Sequence, residues 1–211
     1  MKHRPQLLKS EDLPPEPRQR RSQEKRERLK DAALRLFNAR GYERTSIEEI
    51  AERANLATGT FYQHYRSKRQ LLLALMDDFL AGVARLNLQP TPTADVREML
   101  RGLLARGLST DRRYLGAYRA WREATLSDAE LATTQCHIRN WTTQRVTALL
   151  TLLQQWRGAR PNVDIAVLAE VIDTLCWTLL EDPVFISREY SEARIAAVTD
   201  LIYHAMFLDL A

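Results

Sequence analysis

The sequence predicts an all-α protein of about nine helices, and three patterns agree on it. Apolar residues recur at intervals of three and four along most of the chain. No segment alternates apolar and polar residues over the length of a strand, and proline- or glycine-containing breaks separate the periodic stretches. With 211 residues, 45% of them hydrophobic, the chain can bury a sizeable core, and 27% charged residues suit contact with water. No apolar run reaches the roughly 18 residues of a membrane span, so no membrane partner is expected. The polar, basic N-terminus lacks the apolar stretch of a secretory signal. Cys136 and Cys176 lie in apolar-periodic segments without CxxC spacing. They are expected to be reduced packing residues of a cytoplasmic chain.

Charge divides the chain unevenly. Residues 1–70 carry 17 Lys+Arg against 10 Asp+Glu, a net of +7, whereas the remainder is slightly acidic. Every lysine lies at or before Lys68. A basic first third points to a polyanionic partner met by that part alone; a solvated basic tail has the same composition. Residues 1–21 hold Pro5, Pro14, Pro15 and Pro17 without apolar periodicity, and read as a flexible basic arm ending in Arg18, Arg20 and Arg21. Such an arm can follow phosphates or enter a minor groove, or it can be a plain tail.

The first helix presents Leu29, Ala32, Ala33, Leu36 and Phe37 on one face and stops at Gly41. Thr45, with Glu48 three residues on, has the capping-box spacing that starts a second helix, with Ile47, Ile50, Ala51 and Ala54 inward. A turn at Asn55 and Leu56 leads to a third helix through Phe61 and Tyr65. Ser67 with Gln70 opens a fourth, striped by Leu71, Leu72, Leu75, Phe79 and Leu80. The prolines at 90 and 92 end it. Further helices are expected at 94–107, 110–125, 128–157, 163–181 and 191–208.

The stretch Thr45 to Lys68, TSIEEIAERANLATGTFYQHYRSK, has the layout of two short helices across a tight turn. Such a pair can seat its second helix in a major groove while the first braces it. Asn55 occupies the turn, where positive φ is needed at low cost. Thr45, the Ile50–Ala54 segment IAERA, the Gly59–Tyr65 segment GTFYQHY and Ser67-Lys68 resemble the TetR family of bacterial transcriptional regulators in identity, order and spacing. The upstream LFNARGYERTS and the LLLAL run agree, so the resemblance covers about residues 22–85. Asn55 stands where glycine is usual, and Ala57 where a capping serine is common.

The resemblance implies an N-terminal helix-turn-helix domain over 22–66 and a helical effector-binding and dimerisation domain over 67–211. It also implies DNA-contact roles for Thr45, Ser46, Thr58, Gly59, Thr60, Tyr62, Gln63, His64 and Lys68. The chemistry is compatible: threonine offers a methyl to thymine, glutamine can pair with adenine, and Tyr62, His64 and Lys68 can hold phosphates. Phe61 and Tyr65 fall inward.

In the second domain Tyr114, Tyr118, Trp121 and Trp141 are candidates to line an effector cavity, although an aromatic stripe serves equally as core. Val171, Ile172, Leu175, Leu179, Ile195, Val198 and Ile202 on the last two helices are candidates for a homodimer interface. Cys136-His137 has no third metal ligand nearby, and no catalytic motif, cofactor loop or redox pair is present, so neither enzyme activity nor a cofactor or metal is expected. The expected partners are double-stranded operator DNA, a small apolar or aromatic effector and a second copy of the chain. The expected role is repression of a palindromic operator. Activation, response to a protein, and nonspecific architectural binding remain the other readings.

Overall fold

A computed structural model describes residues 3–9, 11–15, 19–90, 95–111, 114–181 and 188–208, without the side chains of 108–111, 181 and 188–191. Nine α-helices lie among them: α1 Arg20–Arg40, α2 Ile47–Arg53, α3 Thr58–Tyr62, α4 Lys68–Arg85, α5 Val96–Asp111, α6 Leu115–Thr125, α7 Ala129–Leu153, α8 Ile165–Glu181 and α9 Arg188–Met206. The described residues contain no strand, only an isolated bridge between Ala159 and Phe207. The all-α expectation holds.

Local chemistry explains where most helices begin and end. Gly41 takes φ 84° and donates its N–H to the Phe37 carbonyl, closing α1 as its position predicts. Asp95, Asp128 and Asp164 each accept from backbone N–H groups of the first turn of α5, α7 and α8. The helix expected to reach residue 157 stops at Leu153. Gly158 there adopts φ 84° and its carbonyl receives the Leu208 N–H, so the chain is drawn to the end of α9 instead.

Contacts group the chain into two compact units. One comprises Arg4–Gly82 and Arg113–Cys136; the other includes Val83–Arg112 and His137–Ala211. Most of α4, all of α6 and the first turns of α7 group with α1–α3. Within the first unit α6 lies along α1 so closely that a Cβ on Gly116 would strike the Leu34 carbonyl oxygen. Trp121 fills this core completely, together with Phe37, Phe61, Tyr65, Leu71, Leu72 and Met76.

The second unit packs α5, α7, α8 and α9 around Leu100, Leu150, Leu153, Ala169, Ile172, Val198, Ile202, Met206 and Phe207. Asp173 is buried there among Thr143, which donates to it at 3.0 Å, and Arg139 at 3.5 Å; burial pushes its carboxyl above the usual range. Cys136 is exposed and so is not a packing residue, whereas Cys176 is half-buried.

The arm differs from its expectation as well. Arg18 lies outside the described residues, but residues 4–9 and 11–15 are docked rather than loose. Arg4 pairs with Asp77 at 2.7 Å, Leu7 is buried, and Glu11 reaches Arg69 at 2.6 Å. One apolar anchor with basic Arg4 before it and acidic Glu11 and Asp12 after it is what its composition concealed.

Candidate nucleic-acid interface

The turn between α2 and α3 is held from outside itself. Asn55 takes φ 53°, the left-handed geometry its position required, and Leu56 donates to the Ala51 carbonyl at 2.9 Å. Arg28 of α1 donates to both the Ala54 and Asn55 carbonyls, closing the exposed end of α2. Nothing in the helix-turn-helix pattern itself singles out this arginine.

The α2 cap falls one residue later than predicted. Ser46 accepts from the Glu49 N–H at 3.1 Å while Glu49 accepts from the Ser46 N–H at 2.9 Å, which makes the reciprocal box Ser46–Glu49. The Ser46 N–H, then Arg40, hold the Glu49 carboxyl below its ordinary range. Thr45 is instead buried, its hydroxyl donating to the Gly41 carbonyl at 2.8 Å. Its expected role as cap therefore passes to Ser46, and its hydroxyl is committed to the loop rather than offered outward. Two adjacent hydroxyl residues fit either register, and the tertiary position of Gly41 decides between them.

α3 is short, and Tyr65 lies beyond its end rather than within it. Phe61 and Tyr65 are fully buried, their ring centroids 5.8 Å apart, and anchor the segment from beneath. Opposite them, Tyr62 is 50% exposed and Gly59 and Gln63 are open to solvent, with Thr58 and Thr60 half-buried between. A Cβ on Gly59 would meet nothing, so the outer face at this point is flat and accessible. Ala57 provides no side-chain cap, consistent with the missing serine.

His64 departs from its expected role. It is only 5% exposed, and its Nε2 is buried without a hydrogen-bond partner. Burial, then the cations Arg26 and Lys25, push its imidazole below the usual range. A phosphate contact would need this ring to move outward.

Lys68 is also committed internally. Its ammonium donates to the Tyr42 carbonyl at 2.7 Å and the Thr45 carbonyl at 2.8 Å, and lies 4.2 Å from the Tyr42 ring centroid. Burial holds its pKa below the ordinary lysine range despite Glu43, Glu123 and Glu49. The same loop is gripped by α6: Glu123 accepts the N–H groups of Tyr42, at 2.5 Å, and Glu43, at 3.1 Å. Arg119 donates to the Asn38 carbonyl at 2.9 Å. Burial raises the Tyr42 phenol to about 12, so it stays neutral. Sequence reasoning missed Tyr42, Arg119 and Glu123, because a contact some 80 residues apart leaves no local pattern.

Comparison with known proteins gives this geometry its relatives. Residues 29–75 match the profile of bacterial regulatory proteins of the tetR family. Those residues carry the N-terminal domain of that family. A segment of this chain is 31% identical over 100 residues to the regulator AcrR of Shigella flexneri, covering 44% of this chain and 46% of AcrR. The chain thus spans under half the length of that relative. A regulator from Saccharomonospora viridis in complex with choline has the same fold, with a TM-score of 0.70 over 88% of this chain and 99% of that one at 22% identity. SmeT, in complex with triclosan, superposes with a TM-score of 0.66 over 88% and 92% at 22% identity.

The four aromatic candidates divide between the two units. Tyr118 and Trp121 are buried core, the Trp121 indole donating to Gln135 at 2.6 Å, and Tyr114 meets Phe79 edge-on at 6.1 Å between centroids. Trp141 belongs to the other unit, where Arg145 lies 5.3 Å from its ring centroid.

Among the interface candidates, Ile172, Val198 and Ile202 pack into the chain's own core. Leu175, Leu179 and Ile195 are half-buried. Val171 is 57% exposed, and Val167 and Leu201 join it as large exposed apolar residues.

Proposed function

We propose that this chain is a DNA-binding transcriptional regulator that reads operator DNA with the outer face of α3. The observation that carries this reading is the two-sided character of α3, with Phe61 and Tyr65 locked beneath an outward row of Thr58, Gly59, Thr60, Tyr62 and Gln63. A helix anchored by apolar residues with a polar, unobstructed face is what major-groove docking requires. Tyr62 and Ser46 supply phosphate contacts in this reading, and Gln63 and Thr58 meet base edges.

The chain acts as a homodimer in this reading, with the partner copy covering the exposed Val167, Val171 and Leu201. A two-fold dimer matches a palindromic operator. Its role is repression relieved by a small apolar or aromatic effector, the two states differing in DNA affinity by about 1–3 kcal/mol. Choline and triclosan in structural relatives support effector control in this fold. The domain limits in this reading are the helix-turn-helix over 22–66 and the effector and dimerisation part over 67–211.

The test is operator selection from random duplexes followed by binding of variants. Tyr62→Ala should weaken binding to every sequence at least tenfold, about 1.4 kcal/mol, while Gln63→Ala changes which base is preferred at one position per half-site. Unaltered binding by Tyr62→Ala would sink α3 as the reading element.

A further inference from the structure

Arg66 and Arg69 bracket Lys68 at the start of α4, and both guanidiniums hold carboxylates of the N-terminal arm. Arg66 Nη2 lies 3.0 Å from Asp12 Oδ2, and Arg69 Nη1 lies 2.6 Å from Glu11 Oε1. The Gln70 amide secures the same segment, donating to Glu11 Oε2 and to the Asp12 carbonyl at 3.2 Å each. Leu7, buried, and Arg4, paired with Asp77, fasten the arm further along α4. Two consecutive acids are thereby laid on the end of α4 that follows the reading segment directly.

A carboxylate and a phosphate present alike to guanidinium: each offers two oxygens to its forked donors. The Asp12–Arg66 pair is largely exposed, and pairs of that kind are weak enough for a dense polyanion to displace. Arg69 also holds Asp128 and Glu130, both at 2.8 Å, so it stays positioned when Glu11 leaves.

We infer that Arg66 and Arg69 form a phosphate site for duplex DNA, occupied in the free chain by Glu11 and Asp12 as an internal phosphate mimic. The inference rests on the DNA-binding reading above and assigns the arm a sign opposite to that of a basic arm. The arm lowers affinity for every duplex, whatever its sequence, until it is released.

Fluorescence anisotropy of the full chain with a labelled random-sequence duplex, titrated across salt concentrations, tests it. The E11Q/D12N variant should bind on the order of tenfold tighter at low salt. Its salt slope should steepen by roughly 1–2 ion equivalents, about 0.9 for each phosphate gained. Leu7→Ser, which loosens the arm without touching either acid or either arginine, should shift both quantities in the same direction. Adding Arg66→Gln to E11Q/D12N should remove about one of the gained ion equivalents. Affinity and slope that are unchanged or reduced in both E11Q/D12N and Leu7→Ser overturn this inference while leaving DNA binding intact. A wild type and variants that all ignore the duplex overturn the DNA-binding reading, and the phosphate site with it.

Discussion

The two units differ in where their polar side chains hold loop backbone. Around the helix-turn-helix, long side chains cross between elements to hold loop backbone: Arg28 on the Ala54 and Asn55 carbonyls, Lys68 on those of Tyr42 and Thr45, Glu123 on two consecutive N–H groups. In the unit of α5, α7, α8 and α9 the threonines mostly turn back on their own helix. Thr147, Thr151, Thr178 and Thr199 each donate to the carbonyl four residues earlier. Arg145, which caps the Val83 and Leu86 carbonyls, is an exception. Directional bonds fix loops at one geometry, whereas contact between apolar faces tolerates small repacking. The first unit is therefore built to keep a surface in place, and the second to rely on buried area.

Among the largest effects is one in the core of the first unit. Trp121→Ala empties a fully buried site and should cost about 3–5 kcal/mol in chemical denaturation. A loss below about 1 kcal/mol would mean that the ring borders open space, as an effector-lining role demands.

Adjacent positions on α8 give the next contrast. Ile172→Asp places a charge in the second unit's core and should destabilise by more than about 4 kcal/mol. Val171→Asp, one residue away on the exposed side, should leave the fold within about 0.5 kcal/mol. In sedimentation it should shift the protein from dimer to monomer. Equal destabilisation by both would erase the distinction between core and interface faces.

Lys68→Ala separates a structural lysine from a simple contact. Two loop carbonyls lose their donor, so stability should fall by about 1–3 kcal/mol alongside weaker DNA binding. Tyr62→Ala, by comparison, should change binding with little change in stability. If Lys68→Ala melts like the wild type, the loop is held by Glu123, Arg119 and Thr45 without it.

The smallest effect concerns pH. His64 is buried with a lowered pKa, so the folded state disfavours its protonated form. Its contribution is fully present above the unfolded-state value near 6.5 and is lost as pH falls from there through the lower folded value. His64→Gln should show a shallower loss of melting temperature between about pH 7 and pH 5 than the wild type. Parallel curves would place the imidazole in solvent.

Local spacing made α1, α4 and α6–α9 legible within a few residues. It also placed the turn at Asn55, because helical periodicity and positive-φ chemistry are written over a handful of neighbours. The inward placement of Phe61 and Tyr65 followed from the same spacing. The cap register did not, since Thr45 and Ser46 are chemically near-equivalent and only the Gly41 carbonyl, fixed by α1, claims one of them.

For the predicted DNA-contact set, the sequence by itself determined which residue types stand at the reading segment and which face of α3 is apolar. The tertiary structure decided which of those residues are still available. It turned Thr45 and Lys68 into loop fasteners, buried His64, and left Tyr62, Gln63 and Gly59 outside. It also laid the acids of a net-basic arm on Arg66 and Arg69. The physical reason is that a polar side chain's task depends on which unsatisfied backbone group or opposite charge comes within about 3 Å of it. When that partner lies dozens of residues away, as Glu123 does from Tyr42 and Glu11 from Arg69, only folding brings the two together.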